Sequence, residues 1–304
     1  MPLYGQWLKR GFIGVLVGVS VLYGVNRLTR LEERVGAVEE KISAVVVNKD
    51  VIKNEYEDRV SSLEDAIKQI ISEDKSQVRR LLNATVQVQI SGDEGGAGSG
   101  AVFYSSKNNK GRYDNYVLSA AHLFSDDFGQ PLPPTSTSIS IIQYNDTVPH
   151  SLFNGELVVL SVERDMAVLR FESSARVPTV VVADESKLMW LLPATNLYSV
   201  HCPLMLPPVR TRGELFSKNN VVDGRKLWLT TAHGTIGASG GGVYLQSSNE
   251  LIGVVVACPT IDVTWGKFPV DFQIPVDYLT EVSPLVGFRD WLEKENLGFL
   301  MKKH

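Results

Sequence analysis

Cysteine is almost missing from this chain, with Cys202 and Cys258 the two in 304 residues. Two thiols on distant apolar stretches exclude a disulfide framework and a cysteine-rich metal site. They either pair or stay buried as thiols, and thiols are expected. A basic cluster is missing as well: the formal net charge is -4 and the pI is near 5.8. Phosphate binding then lacks its electrostatic footprint, which excludes a general nucleic-acid binder. Proline is absent between Leu28 and Leu82, so nothing there breaks a long helix. What remains is ordinary globular composition, 44% hydrophobic and 21% charged, in a chain long enough for one large or two moderate domains.

Gly11 to Val25 carries no charge, with Lys9 and Arg10 before it and Arg27 and Arg30 after it. Leu3, Tyr4, Trp7 and Leu8 extend the apolar span upstream, so residues 1–27 are expected to form a single-pass membrane anchor. A cleaved secretory signal is the rival, but no small-x-small cleavage site follows. A buried helix is disfavoured because the next segment is not globular. Basic residues on both flanks leave the orientation undetermined.

From Leu28 the apolar residues recur at Leu31, Val35, Val38, Ile42, Val45, Ile52 and Tyr56, with Lys49 interrupting. This 3-4 alternation is a coiled-coil seam. It resumes at Val60, Leu63, Ile67 and Ile70 after a stutter, which locally unwinds a supercoil without ending the helix. Residues 28–83 are therefore expected to be an oligomeric stalk, with a trimer favoured by β-branched seam positions. The alternative is one amphipathic helix lying on the following domain.

Residues 84–304 change to short β-rich runs. Thr85 to Ile90, Gly100 to Tyr104, Tyr116 to Leu118, Ser138 to Tyr144, Glu156 to Val162 and Ala167 to Phe171 read as one set of strands, with Asn154-Gly155 as a hairpin turn. Thr179 to Val182, Thr195 to His201, Val209 to Phe216, Lys226 to Thr231, Gly242 to Leu245 and Leu251 to Ala257 read as a second, with Asp223-Gly224 as another hairpin. One helix is expected around Val286 to Asn296. The fold class is mostly β, two β-barrels with a cleft between them.

Three motifs fall in the order His122, Asp165, Ser239, with gaps of 43 and 74 residues. A serine hydroxyl is a poor nucleophile until a base takes its proton, and histidine suits that role. His122 ends a strand and turn, Val117 to His122. His150 lies in a loop beside Pro149, His304 is terminal, and His201 and His233 lack that setting. Asp165, opening the apolar strand from Ala167, would orient the imidazole. Glu163 is a nearby substitute, and a salt bridge from Asp165 to Arg164 is the bland alternative. Gly237-Ala238-Ser239-Gly240-Gly241-Gly242 removes side-chain bulk around the nucleophile, so the amides of Gly237 and Ser239 can converge as an oxyanion hole.

These residues resemble trypsin-like serine peptidases, and within them the HtrA/Deg branch. Gly98 to Phe103 looks like the branch's early GSG strand, Tyr116 to His122 like its His motif and Arg164 to Leu169 like its Asp motif. Ala183 to Ser186, Ile252 to Val254 and Phe272 to Pro275 are similar to later steps of its pattern, so the resemblance covers about Ala84 to Leu292. It implies a trypsin-like double β-barrel, a His-Asp-Ser triad, peptide hydrolysis through an acyl-enzyme, and no metal or cofactor. Ala238 departs from it. Secreted trypsin relatives have Asp there and the HtrA pattern usually Asn, which raises the question of what holds this oxyanion hole. After Pro275 too few residues follow for a recognisable PDZ domain.

The strand from Gly253 to Cys258 is expected to line the substrate pocket through Val254, Val255, Val256 and Ala257, selecting a small-to-medium apolar residue. His233, six residues before Ser239, would instead select Gln or Glu if it reached the pocket floor. The expected function is a membrane-anchored serine endopeptidase acting on protein or peptide substrates, periplasmic if bacterial. The protease segment of a viral replicase polyprotein and a catalytically weak membrane scaffold are the alternatives.

Overall fold

The computed structural model describes residues 75–302 apart from 93–95, 126–131, 133–137, 146–147, 223, 265–270 and 276–278, and only the backbone of 260–264 and 271–275. The anchor over 1–27 and nearly all of the stalk over 28–83 lie outside the described residues. Among the described residues no helix is long and apolar enough to cross a membrane. Residues 75–83 are helical. They belong to the compact unit Ser72–His304, and buried Leu81 docks them on its core.

Alternating apolar residues fold 85–173 into a closed barrel. Its strands are β1 (Thr85–Ser91), β2 (Ala97–Lys107), β3 (Tyr113–Ser119), β4 (Ser138–Asn145), β5 (Val148–Ser161) and β6 (Met166–Ser173). They run antiparallel in the order β1-β2-β3-β6-β5-β4, and the β1–β4 ladder closes the ring. Val86, Val88, Val102, Val117, Ile141, Leu169 and Phe171 fill the interior, each burial contributing roughly 1.5–3 kcal/mol.

Asn154-Gly155 does not form the hairpin expected of it. Both residues lie inside β5, where Asn154 faces Ser140 and Gly155 faces Ile139, and the connection falls between register partners Asn145 and Val148. The reason for glycine is packing. A Cβ on Gly155 would stand 2.7 Å from Ile139 Cγ2 and 2.9 Å from Ile141 Cδ1, so its absence lets two isoleucines close the barrel wall.

The second half begins with β7 (Val181–Val182) and α1 (Glu185–Trp190). It continues with β8 (Asn196–His201), β9 (Val209–Val222), β10 (Arg225–Thr230), β11 (Gly242–Leu245) and β12 (Glu250–Ala257). The hairpin β13 (Thr260–Thr264) and β14 (Asp271–Pro275) follows, then β15 (Thr280–Pro284) and α2 (Phe288–Lys294). The ring runs β11-β8-β9-β10-β15-β12 and closes through β11–β12. Val222 and Arg225 are register partners, on either side of the expected Asp223-Gly224 hairpin. Thr179 to Val182 does not supply the sixth strand of this barrel. It yields only the two-residue β7, parallel to the start of β12, and the sixth strand is β15. Helix α2 buries Phe288, Trp291 and Leu292. Phe288 meets Phe103 of β2 edge-on at 5.7 Å, tying the C-terminal segment to the first barrel.

Gly155→Ala should destabilise the domain by about 1–3 kcal/mol, the usual cost of overpacking a barrel wall. Adding Ile141→Val should return part of the loss. Urea unfolding of the parent, the single and the double variant measures this, and additive losses would discard the packing explanation.

Candidate active site

Register places the first two groups. Ser119, the last residue of β3, faces Ala167 of β6, so the turn after β3 and the turn before β6 open at one end of the first barrel. His122 sits in the short 3-10 turn Ala121–Phe124. Asp165 precedes β6 with φ of +49°, a left-handed conformation that Asp tolerates better than most residues. The His122 amide donates to Asp165 Oδ1 at 2.9 Å, and His122 Nδ1 lies 3.0 Å from Oδ2 and 3.1 Å from Oδ1. The Nδ1–H is thereby directed at the carboxylate, leaving Nε2 free to take a proton. The imidazole is 39% exposed and the carboxylate 5%.

The two rivals for this carboxylate are engaged or remote. Glu163 is exposed, and Arg164 Nη1 donates to the carbonyl of Val286 at 2.8 Å. The cation that does reach Asp165 is Arg225 at the start of β10, its Nη1 3.1 Å from Oδ2. Burial pushes the Asp165 carboxyl toward the neutral form. The His122 ring and amide hydrogen bonds and the Arg225 charge outweigh that and hold it below the ordinary carboxylate range.

Ser239 lies on a loop bound along its length. Ala238 N–H donates to Thr235 O, Gly240 N–H to Val255 O, Gly241 N–H to Ala238 O, and Ser99 N–H to Ser239 O. Gly240 has φ of +84°, and a Cβ there would collide with Ser99 O and stand 2.9 Å from the Ala120 amide. Glycine lets the loop press against the residue two before His122. A Cβ on Gly98 would meet both Leu123 and Ser239 O, so the same contact fixes the Ser239 loop beside the His122 turn. Among the described residues no hydrogen bond joins Ser239 Oγ to His122, a looseness common before substrate is bound.

The two amides expected to form the oxyanion hole point away from their neighbours' bonds. Gly237 has φ of +86°, and a Cβ there would stand 2.8 Å from Cys202 O and 2.9 Å from the Leu204 amide. Ile236 O accepts from Leu204 N–H and Ala238 O from Gly241 N–H, each at 2.8 Å. In a trans peptide the N–H opposes the C=O, so both pairings turn the Gly237 and Ser239 N–H groups to the other side. Among the described residues neither has a partner.

The substrate strand is placed differently from expectation. Val254 and Val255 are packed in the barrel core, and Val256 is buried beside them. β11 pairs with β12 as far as Val254, and the Ser239 loop bonds Val255 through Gly240 and Gly241. The valine side chains thus serve the core, and the backbone from Val256 to exposed Ala257 is the part left unpaired on that side. His233 is exposed, and its carbonyl accepts from Thr211 Oγ1 at 2.8 Å. The buried histidine nearby is His201, beside Ser199 Oγ at 3.2 Å, its pKa lowered to about 4 by burial and then by His233. Both cysteines are free thiols, and burial pushes Cys202 up to about 12. Among the described residues no group of His, Cys, Asp or Glu is arranged to hold a metal ion.

The family described as Trypsin-like peptidase domain matches residues 98–254, just over half of the chain. The chain belongs to that family. Its trypsin-like fold is also that of two solved structures. The HtrA-type protease AlgW, with a tripeptide, is 15% identical with a TM-score of 0.53, covering 73% of this chain and 62% of that one. The serine endoprotease from Yersinia pestis is 18% identical with a TM-score of 0.50, covering 73% and 65%. This trypsin-like peptidase therefore spans less than two thirds of the length of either relative. No curated protein matches it.

Arg225 carried no local signal in the sequence, because its role depends on a contact 60 residues away. A carboxyl with a depressed folded pKa adds stability above its unfolded value near 3.9, and that stability is lost as pH falls through the folded value. Arg225→Gln removes one lowering cause and should cost about 1 kcal/mol at pH 7, the deficit closing as Asp165 protonates in both proteins. Urea titrations from pH 7 to pH 2 test this; a deficit independent of pH would assign Arg225 to packing alone.

Proposed function

We propose that this trypsin-like peptidase is a serine endopeptidase whose nucleophile is Ser239, base His122 and orienting carboxylate Asp165. The observation that carries the reading is the combination of a His122 ring bonded to a buried Asp165 with two unpartnered amides flanking Ala238. In the reaction, Ser239 Oγ attacks the peptide carbonyl carbon while its proton passes to His122 Nε2. The negative charge that develops on the carbonyl oxygen is met by the Gly237 and Ser239 N–H groups. Collapse breaks the C–N bond, His122 returns the proton to the leaving amine, and a water molecule then releases the acyl group by the same steps. Asp165 stays ionised and stabilises the imidazolium.

Membership of the trypsin-like peptidase family supports a peptide as the substrate class. An extended substrate would pair with the free edge at Val256 and Ala257, in the manner of strand addition. Ile236, 79% exposed beside the hole, adds an apolar rim, which favours apolar residues near the scissile bond. Residues 1–27 as anchor and 28–83 as oligomeric stalk complete the proposal, on the strength of the uncharged run and the 3-4 alternation. The scaffold alternative loses its main support, since the three consecutive carbonyls of Ile236, Gly237 and Ala238 are each hydrogen-bonded without a side chain at 238.

The test uses the full chain in detergent. A fluorophosphonate probe should label it at Ser239 and leave Ser239→Ala unlabelled, while Asp165→Asn should lower kcat by roughly 10⁴-fold with the fold intact. An unlabelled parent chain would sink the protease reading.

A further inference from the structure

Ala238 is fully buried and its methyl offers no hydrogen bond, yet the peptides on either side of it are held. The polar group at the centre of that arrangement belongs to the other barrel. Ser99 of β2 has no exposed surface, and its Oγ donates to Gly237 O at 2.7 Å while accepting from Cys202 N–H at 2.8 Å. Its N–H donates to Ser239 O at 2.7 Å, and its carbonyl accepts from Ser119 Oγ at 2.7 Å. Every polar atom of Ser99 is used, and three of its four bonds go to the second barrel.

We propose that Ser99 is a positioning residue that fixes the oxyanion-hole peptides from across the barrel interface, an inference that rests on the protease reading above. The geometry gives two routes. Directly, the bond to Gly237 O sets the peptide between Gly237 and Ala238. Indirectly, the bond from Cys202 N–H seats the turn that follows, whose Leu204 N–H holds Ile236 O and so aims the Gly237 N–H. That turn has Leu204 at φ of +50° and Met205 at +61°. Such conformations in side-chain-bearing residues persist only where the surroundings impose them, and the Ser99 hydroxyl is one of those constraints. Removing it leaves a buried carbonyl and a buried amide unpaired, and a rotation of the Ile236–Gly237 peptide becomes accessible.

Ser99→Ala in the full chain tests this, read with fluorescein-labelled casein, with phenylboronic acid as a tetrahedral-adduct probe, and with fluorophosphonate titration to count active sites. The expected result is kcat per active site about 10–100-fold lower, KM within about threefold, and the phenylboronic acid Ki raised about tenfold or more, because the hole acts on the tetrahedral species. A purely structural role would reduce the count of active sites or the unfolding midpoint without moving kcat per site or that Ki. Should the alanine variant fail to fold, Ser99→Cys keeps the volume with a weaker donor and should lose about tenfold in kcat. Unchanged kcat and Ki per active site in the folded variant overturn the positioning role. A parent chain that neither labels at Ser239 nor cleaves casein overturns the protease reading itself.

Discussion

A carboxylate with almost no solvent must be bonded at every oxygen, and Asp165 imposes that constraint on the whole domain. Desolvating such an ion costs several kcal/mol, offset only by good geometry and full pairing. Its three partners come from two places: the His122 amide and ring on the turn after β3, and Arg225 at the start of β10 in the second barrel. The positive φ of Asp165 aims the carboxylate, and the β3–β6 register brings the histidine turn to it. Orientation of the His122 ring and association of the barrels are thus one interaction.

A second seam does for the Ser239 loop what Asp165 does for the His122 turn. The Ser99 amide holds Ser239 O, its hydroxyl holds Gly237 O, and Gly240 fits against Ala120 only because it lacks a Cβ. The first barrel therefore contributes to the site twice, through the histidine turn and through the bonds that shape the serine loop. Helix α2, crossing back to Phe103 with Phe288, and Arg164 reaching the carbonyl of Val286 fasten the two barrels at further points. Precision in such a site is inherited from packing between barrels, since Asp165 and the Ser239 loop are each held by residues of the other half.

Sequence periodicity was enough to find both barrels, because alternation is a local property that burial of one strand face enforces. The six strands of the first barrel and five of the second can be read that way. β15 escaped because Thr280, Glu281 and Ser283 are polar residues that the barrel nonetheless buries. Asn154-Gly155 misled for a related reason, since the same dipeptide that makes a good turn also makes room for Ile139 and Ile141. At the site, His122, Asp165 and Ser239 stand in recognisable local settings, and the carboxylate partner of His122 is the aspartate that the spacing singled out. Arg225 was invisible, and Ser99, although it lies in the GSG strand that the resemblance marks, showed nothing of its role, because their partners lie 60 and 138 residues away. Val254 and Val255 went the other way: a run of valines reads equally as pocket wall or barrel core, and burial on both faces of β12 makes them core.

Ala238 shows why local absence is weak evidence about a site. A methyl in place of the polar side chain that the resemblance leads one to expect suggests an oxyanion loop without a lock, and that holds only if the lock must come from residue 238. A loop has backbone carbonyls on every peptide, and any buried donor that reaches them can restrain it. Here the donors are the Ser99 hydroxyl, the Leu204 amide and the Gly241 amide, which between them hold the carbonyls of 236, 237 and 238. With three consecutive carbonyls fixed, the free Gly237 and Ser239 N–H groups are oriented by exclusion. A side-chain bond at position 238 would restrain a segment whose peptides already have nowhere else to turn, so an alanine there is compatible with a formed hole.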